Sequence, residues 1–178
     1  MGNGIWTFTA DTNTIWGFGT RTNLTFDAEG STIKITSVLT ADRFIEFSGM
    51  TLNNFWNDST GNYYLTIKSS NTFNDFKIDA GRKMKFETGK TQTVSTFTAL
   101  GTDGKLITLR SSTTTNATLK KSGGGTISCD YMDVDYMTGN PDTTWYMGTH
   151  STDGGHNSQI YFTDPPSATA TGNFFQLF

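Results

Sequence analysis

The chain has 178 residues, with 13 Lys and Arg against 16 Asp and Glu, a net charge of −3 and a pI near 5.2. It contains 34 Thr but only 3 Glu, and 16% of its residues are charged, where an average globular chain has about 25%. Thr and aromatic residues favour strands, whereas Glu, Ala and Leu favour helices. This composition excludes a helical bundle or a doubly wound α/β enzyme and predicts an all-β protein.

The charge pattern and the apolar runs argue against two classes of partner. The scattered Lys and Arg form no basic stripe, so we expect no nucleic-acid binding. No stretch reaches the ~18 apolar residues of a membrane span, and MGNGIWTFTA lacks the basic and apolar regions of a signal peptide. We therefore expect no membrane insertion. Cys129, the lone cysteine, is expected to be a small buried hydrophobe.

Residues 1–28 are rich in aromatic side chains set among Gly and Thr. The apolar residues are Trp6, Phe8, Trp16, Phe18, Leu24 and Phe26. This pattern predicts strands that cover the end of the repeats that follow, because an open sheet end exposes unpaired backbone groups. A docking surface is the alternative interpretation.

Residues 29–135 contain a repeating pattern of short apolar clusters separated by turn residues. One series is spaced by 21 residues: LNNF at 52–55, FNDF at 73–76 and VSTF at 94–97. A second series has steps of 19 to 23: IEF at 45–47, LTI at 65–67, MKF at 84–86, ITL at 107–109 and ISC at 127–129. The regular spacing predicts a solenoid of coils of about 21 residues, with strands stacked in register.

Alternation within the clusters predicts which side chains face the core. Ile33, Ile35, Leu65 and Ile67 are expected inside, and Thr32, Lys34, Thr66 and Lys68 outside. Asn53 and Asn74 share a repeat position, which suggests a short Asn ladder. An antiparallel β-sandwich with evenly spaced hairpins remains the alternative fold.

The segment CDYMDVDY gathers three carboxylates. Asp133 and Asp135 are two residues apart on a strand, hence on one face and about 7 Å from each other, with Asp130 nearby. We interpret them as a solvated acidic face, with Met132 and Val134 pointing inside.

Two segments combine aromatic and polar residues in a way that suits stacking on sugar rings. Trp56, Tyr63 and Tyr64 surround the DSTGN turn. The predicted ligand site lies further along the chain and comprises Trp145, Tyr146, His150, Asp153 and His156. His150, Asp153 and His156 could instead surround a metal, but Asp-Gly-Gly is first of all a turn, and we predict no metal and no cofactor.

Residues 136–178 lose the repeat period and carry all three prolines, Pro141, Pro165 and Pro166. The chain finishes in GNFFQLF, whose apolar residues are Phe174, Phe175, Leu177 and Phe178. This cluster is predicted to pack either on the end of its own repeats or on a neighbouring subunit, where it would serve assembly.

The repeats and the two runs KFETGKTQTVSTFTALGTDGKLITLRSS at 85–112 and TTWYMGTHSTDGGHNSQIYF at 143–162 resemble right-handed parallel β-helix proteins of the pectate-lyase-like kind. More narrowly, residues 30–178 resemble repeat-built structural proteins of tailed bacteriophages and bacterial surface adhesins. The resemblance implies a right-handed parallel β-helix more firmly than it implies an activity.

The function that the resemblance implies is a non-catalytic virion structural or adhesion protein, such as a tail fibre, spike or capsid-surface component. It would act at the virion surface or outside the cell as a homo-oligomer, most simply a homotrimer, contacting other virion proteins and a cell-surface polysaccharide. A polysaccharide lyase or glycoside hydrolase is one alternative, with Asp130, Asp133 or Asp135 lining a groove beside a partner from an adjacent coil; calcium binding there is another role such carboxylates have in the family. The second alternative is a bacterial cell-surface adhesin fragment. No nucleophile elbow, P-loop or Rossmann fingerprint is present, so no enzyme is predicted.

Overall fold

The structure is a computed structural model that describes residues 2–17 and 27–167. The described residues form seventeen strands and no helix. The strands are β1 Ile5–Phe8, β2 Thr14–Gly17, β3 Thr32–Ile35, β4 Arg43–Glu46, β5 Thr51–Asn57, β6 Leu65–Lys68, β7 Asn71–Ile78, β8 Lys83–Phe86, β9 Thr91–Ala99, β10 Ile107–Ser111, β11 Ala117–Lys121, β12 Ile127–Ser128, β13 Met132–Asp135, β14 Met137–Asn140, β15 Trp145–Tyr146, β16 Thr152–Gly155 and β17 Ile160–Tyr161. No helix in these ranges is long and apolar enough to cross a bilayer.

The strands stack into three parallel sheets. The first sheet has the order β1-β3-β5-β7-β9-β11-β14, the second β16-β13-β10-β8-β6-β4-β2, and a small third sheet β12-β15-β17. The chain therefore adds one strand to the first sheet and one to the second in each coil. This makes a parallel β-solenoid of about 6 coils with a spacing of about 22 residues. The solenoid prediction is confirmed, and the antiparallel sandwich is wrong.

The 21-residue series is confirmed in the first sheet. Leu52 pairs with Phe73 and Phe55 with Phe76. One coil further on, Phe76 pairs with Phe97. Equivalent apolar residues thus lie directly above one another, and the ladder they form is the core.

The second series is right in part. Leu65 pairs with Met84 as its spacing predicts. Two other steps are shifted by two residues, because Leu65 pairs with Arg43 and Met84 pairs with Leu109. ISC at 127–129 does not continue this ladder, because Ile107 pairs with Met132 and Ile127 belongs to the third sheet. Residues 122–131, which include the third-sheet strand β12, separate β11 from β13 and place the equivalent strand further along the chain, and a local apolar triplet cannot reveal such a shift.

Phenylalanine dominates the interior. Phe76 is fully buried and its ring lies 4.9 Å from Phe55 and 5.6 Å from Phe97 between centroids. The predicted inward residues Ile33, Ile35, Leu65 and Ile67 are all buried. Thr66 was expected outside but is also buried, because the long side chains of Phe44 and Lys85 flank it in the outer row of the second sheet.

A buried amide ladder closes the short turn between the second and first sheets. The Asn71 side chain donates to the Gln92 side chain at 3.0 Å and accepts from the Gly49 backbone at 3.0 Å. Gln92 in turn donates to the Ser69 carbonyl at 2.7 Å. No hydrogen bond between the side chains of Asn53 and Asn74 is found in this part of the chain, so the expected ladder lies instead at Asn71 and Gln92.

The predicted end regions are continuous with the coils. β1 and β2 pair in parallel with β3 and β4, and Phe8 stacks on Trp16 at 5.1 Å above the core. β14 and β16 extend the first and second sheets, so residue 135 does not mark a structural boundary. The predicted end residues Phe18, Leu24 and Phe26, and the assembly residues Phe174, Phe175, Leu177 and Phe178, lie outside the described residues.

Candidate functional site: a groove along the corner turns

Four turns at one corner of the solenoid stack along its axis. These corner turns are residues 79–82, 100–106, 129–131 and 147–151, each lying directly before a strand of the second sheet. The Gly81 backbone donates to the Lys105 carbonyl at 3.0 Å, and the Gly101 backbone donates to the Asp130 carbonyl at 3.0 Å. Hydrogen bonds between neighbouring turns therefore fix the shape of this corner.

Two adjoining cavities lie along these turns. The aromatic cavity, about 530 Å³, is lined by Asp103, Gly104, Leu106, Tyr131 and His150. The basic cavity, about 560 Å³, is lined by Asp79, Ala80, Gly81, Arg82, Lys83, Gly104, Lys105 and Leu106. Because both include Gly104 and Leu106, they form one surface depression, which we call the corner groove.

A stacked Tyr–His pair forms one wall of the aromatic cavity. The Tyr131 and His150 rings lie 4.6 Å apart between centroids and within 5° of parallel. The His150 side chain is 58% exposed. Leu106, also exposed, adds an apolar surface beside the rings. The cavity thus presents flat and apolar surfaces to solvent.

The Asp130 carboxylate holds this pair in position. Its Oδ1 accepts from the backbone N–H groups of Tyr131 at 2.9 Å and His150 at 3.1 Å, and its Oδ2 pairs with His150 Nδ1 at 2.8 Å. Partial burial acts to raise the pKa of Asp130, but the hydrogen bonds from His150 and the two backbone groups outweigh it and lower the pKa. With Nδ1 bonded to a carboxylate, the histidine presents its other nitrogen, Nε2, outward.

Two glycines let the neighbouring turns approach Asp130 and Tyr131. A Cβ on Gly101 would lie 2.3 Å from the Tyr131 carbonyl oxygen. A Cβ on Gly148 would lie 2.4 Å from Asp130 Oδ1, and Gly148 also has a φ of +77°. Both positions therefore require glycine for the groove to have this shape.

The structure places only part of the predicted ligand site at the surface. Trp145 is fully buried, with its Nε1 donating to the Asn140 carbonyl at 3.1 Å, and Tyr146 is 7% exposed. Both contribute to the third sheet, so the prediction that they stack on a sugar is wrong. His150 does line the groove, and Tyr131, Leu106 and Asp103 are groove residues that sequence reasoning missed.

His156 and Asp153 lie apart from the groove lining. His156 stacks on Tyr136 at 4.1 Å and faces Asp135 at 3.4 Å, whereas His150 pairs with Asp130. Asp153 Oδ1 accepts from the Gly155 backbone at 2.9 Å, which is the turn that Asp-Gly-Gly predicts. No three His, Cys, Asp or Glu side chains within residues 2–17 and 27–167 are grouped to hold a metal ion.

The predicted acidic face is ion-paired. Arg110, on the adjacent strand β10, lies 2.8 Å from Asp133 and 3.6 Å from Asp135. A hydrogen bond with Asp133 is the main cause of the raised pKa of Arg110. Met132 and Val134 are buried as predicted, but the two carboxylates share one ion-pair partner, Arg110, rather than being simply solvated.

Of the other three predicted stacking residues, Tyr63 is exposed, whereas Trp56 and Tyr64 have their rings occupied. Lys34 and Lys77 lie 3.5 and 3.9 Å from the centroid of the Trp56 ring, and Lys85 lies 4.0 Å from that of Tyr64. Since these lysines come from neighbouring strands, the cation–π contacts hold the outer surface together. The Tyr131–His150 pair is therefore better placed for a ligand.

No family model, curated protein or solved structure matches this chain.

Proposed function

We propose that the protein is a non-catalytic structural and adhesive β-solenoid that binds a surface glycan in the corner groove. The supporting observation is the stack of half-buried Tyr131 and exposed His150 that lines the aromatic cavity beside Leu106. The sequence resemblance supports a virion setting, as a tail fibre, spike or capsid-surface component, with a cell-surface polysaccharide as the partner.

The groove offers the two kinds of contact that sugars use. The C–H face of a pyranose packs against aromatic and apolar surfaces, here Tyr131, His150 and Leu106. Its hydroxyl groups need acceptors and donors, which the exposed Asp103 carboxylate and the His150 ring supply. Since Asp130 already fixes the His150 ring, little conformational entropy is lost on binding.

The experiment is a glycan array probed with wild-type protein and two matched variants. Tyr131→Ala removes the ring in the groove, and Tyr136→Ala is the control. Tyr136 shares the φ of 54° and the stacked histidine but is not among the groove residues. We expect Tyr131→Ala to lose the glycans that wild type retains, and Tyr136→Ala to keep them. Equal retention by both variants would contradict the proposal.

Self-assembly is the second part of the proposal. A virion fibre or spike would be a closed homo-oligomer, most simply a trimer. Light scattering on a sizing column is expected to give about three times 19.5 kDa. A monomer would remove the fibre and spike settings and leave a capsid-surface component that docks on a lattice.

A polysaccharide lyase is the second candidate function, and one observation favours it. Arg110, on the adjacent strand β10, places its guanidinium 2.8 Å from Asp133 on the outer face of the second sheet. It is a basic partner from an adjacent coil, which such a site requires. The test is viscosimetry of polysaccharide solutions: turnover by wild type that Asp133→Asn abolishes would replace the adhesive proposal, and unchanged viscosity with wild type removes the lyase.

A further inference from the structure

We infer that the ligand of the corner groove is an anionic saccharide, oriented with its acidic group in the basic cavity. This inference rests on the proposed glycan-binding function and specifies the ligand class. It follows from the distribution of charge along the groove, which differs between the two cavities.

Two of the four charged side chains in the basic cavity are already neutralised. Arg82 bonds Asp58 at 2.9 Å, and Asp79 lies 3.2 Å from Lys77. The remaining two, Lys83 and Lys105, form no salt bridge within the described part of the chain. Lys105 is exposed, and Lys83 Nζ donates to the neutral Asn62 side chain at 2.5 Å. The basic cavity therefore carries uncompensated positive charge.

The aromatic cavity carries the opposite charge. Asp103 is exposed there, and the other carboxylate nearby, Asp130, is occupied by His150. An anionic group at this end would meet Asp103, whereas a neutral ring could stack and donate hydroxyl hydrogen bonds to it. The groove thus favours one orientation, with the neutral part at Tyr131 and the anionic group near Lys83 and Lys105.

The length of the groove suits a short oligosaccharide. It follows corner turns in successive coils, from residues 79–83 through 103–106 to Tyr131 and His150. Stacked strands are about 4.8 Å apart, so these turns extend over roughly 14 Å. A single monosaccharide could not place a ring face on His150 and an anionic group at Lys83, because these two residues lie at opposite ends of that span.

A nucleic acid also combines flat rings with negative charge, but the groove suits it less. The chain has a net charge of −3, and Asp103 would face the phosphates that flank each base. A single-stranded oligonucleotide is therefore a competing probe in the test.

The experiment measures affinity for acidic oligosaccharides beside their neutral counterparts. The probes are trigalacturonate with its methyl ester, 3′-sialyllactose with lactose, and a sulfated and a phosphorylated trisaccharide with their unmodified forms; a single-stranded oligonucleotide is added. We expect an acidic member to bind at least tenfold more tightly than its neutral partner, with affinity falling as salt rises. The probe that binds best shows whether the anionic group of the ligand is a carboxylate, a sulfate or a phosphate.

Three lysine variants assign the effect to the groove. Lys83→Ala and Lys105→Ala are each expected to weaken binding of the acidic probe about tenfold, since each removes a charge-assisted contact. Lys120→Ala, an exposed lysine on β11, is the matched control and should bind like wild type. The neutral partner should bind all four proteins equally.

The outcomes distinguish the inference of an anionic ligand from the proposed glycan-binding function. If neutral probes bind as tightly as acidic ones and Tyr131→Ala abolishes both, the anionic ligand is wrong and the glycan function stands. If no saccharide binds, or if the oligonucleotide binds more tightly than every saccharide, both are wrong.

Discussion

The coils from β5 to β9 and the coils that follow them differ in regularity. In the earlier coils, Thr51 pairs with Thr72 and Thr72 with Thr93, so both steps are 21 residues. In the later coils of the same sheet, Thr91 pairs with Thr118, a step of 27. Strand register is kept in both regions, which means that the additional residues are placed in turns.

The difference separates the stable part of the molecule from the part proposed to bind. The corner turn 79–82 has four residues and the next, 100–106, has seven. The longer turn brings Asp103, Gly104 and Leu106 out beside Tyr131 and forms the aromatic cavity. Constant spacing along the first sheet therefore builds the core, and the change from a four-residue to a seven-residue turn between neighbouring coils shapes the groove.

Phe76→Ala should give the largest effect and tests whether the regular coils carry the stability. Phe76 is fully buried among Phe55, Phe73, Phe86 and Phe97. We expect the free energy of unfolding, measured with denaturant, to fall by about 3–5 kcal/mol. Leu106→Ala, in the expanded turn, should change it by less than about 1 kcal/mol. A similar loss for both variants would remove the distinction between the two regions.

Gly101→Ala should lower both the stability of the protein and its glycan binding. The new Cβ would overlap the Tyr131 carbonyl, so the turn must move away from the aromatic cavity. We expect a loss of about 1–3 kcal/mol in unfolding free energy, together with weaker glycan binding. Gly124→Ala is the control, because its Cβ would meet nothing within 4 Å. Unchanged binding by Gly101→Ala would show that the turn does not shape the groove.

Asn71→Leu tests the buried amide ladder of the regular coils. It removes the acceptor of the Gly49 N–H and the donor to Gln92, leaving the buried Gln92 side-chain oxygen without this partner. We expect thermal or chemical unfolding to show a loss of about 1–3 kcal/mol. Asn74→Leu, at an exposed position of the same strand, should have little effect. The ladder would be dispensable if the two variants were equally stable.

The pH dependence at Asp11 is a smaller effect, at the N-terminal coil. Hydrogen bonds from Arg43 and Thr40 lower the pKa of Asp11 from 3.8 to about 2. A lowered pKa in the folded state stabilises the protein above the unfolded value, so this stabilisation is complete above pH 4 and is lost as the pH falls toward 2. NMR titration of the Asp11 carboxyl should show the low pKa in wild type and a higher pKa in Arg43→Gln, in which only the Thr40 hydrogen bonds still lower it. Equal pKa values in the two proteins would contradict the pairing.

Cys129 should show the smallest effect, since its thiol is expected not to react in the folded protein. Burial is the main cause that raises its pKa to about 12. Thiol reagents at neutral pH should therefore label the protein only after denaturant unfolds it. Rapid labelling of the native protein would show that the later coils open locally.

The sequence predicts the interior better than the surface for a physical reason. Leu52, Phe73 and Val94 face the same environment in consecutive coils, so the same kind of residue recurs at a fixed offset. The groove depends on which turn lies beside which, and this is set by turn lengths that carry no periodic signal. Tyr131 and Asp103 are 28 residues apart, and nothing in their local sequence relates them.

Trp145 is a core residue that the sequence pattern wrongly predicts to be at the surface. Its segment lacks the 21-residue period, and an aromatic pair in a polar, Gly-rich stretch resembles an exposed ligand site. In the structure, β15 pairs with β12 and β17 in a short third sheet, which buries Trp145 against Phe97. A two-residue strand is too short for alternation to show which side chain faces the core.

The parallel stacking also makes the length of the solenoid proportional to its number of coils. Each additional coil would lengthen the body by about 4.8 Å without changing its cross-section, because every coil contacts only its immediate neighbours. The position of the corner groove relative to either end is then set by the number of coils alone. Duplication or loss of one coil would move a binding site outward or inward in equal steps while leaving the site itself intact.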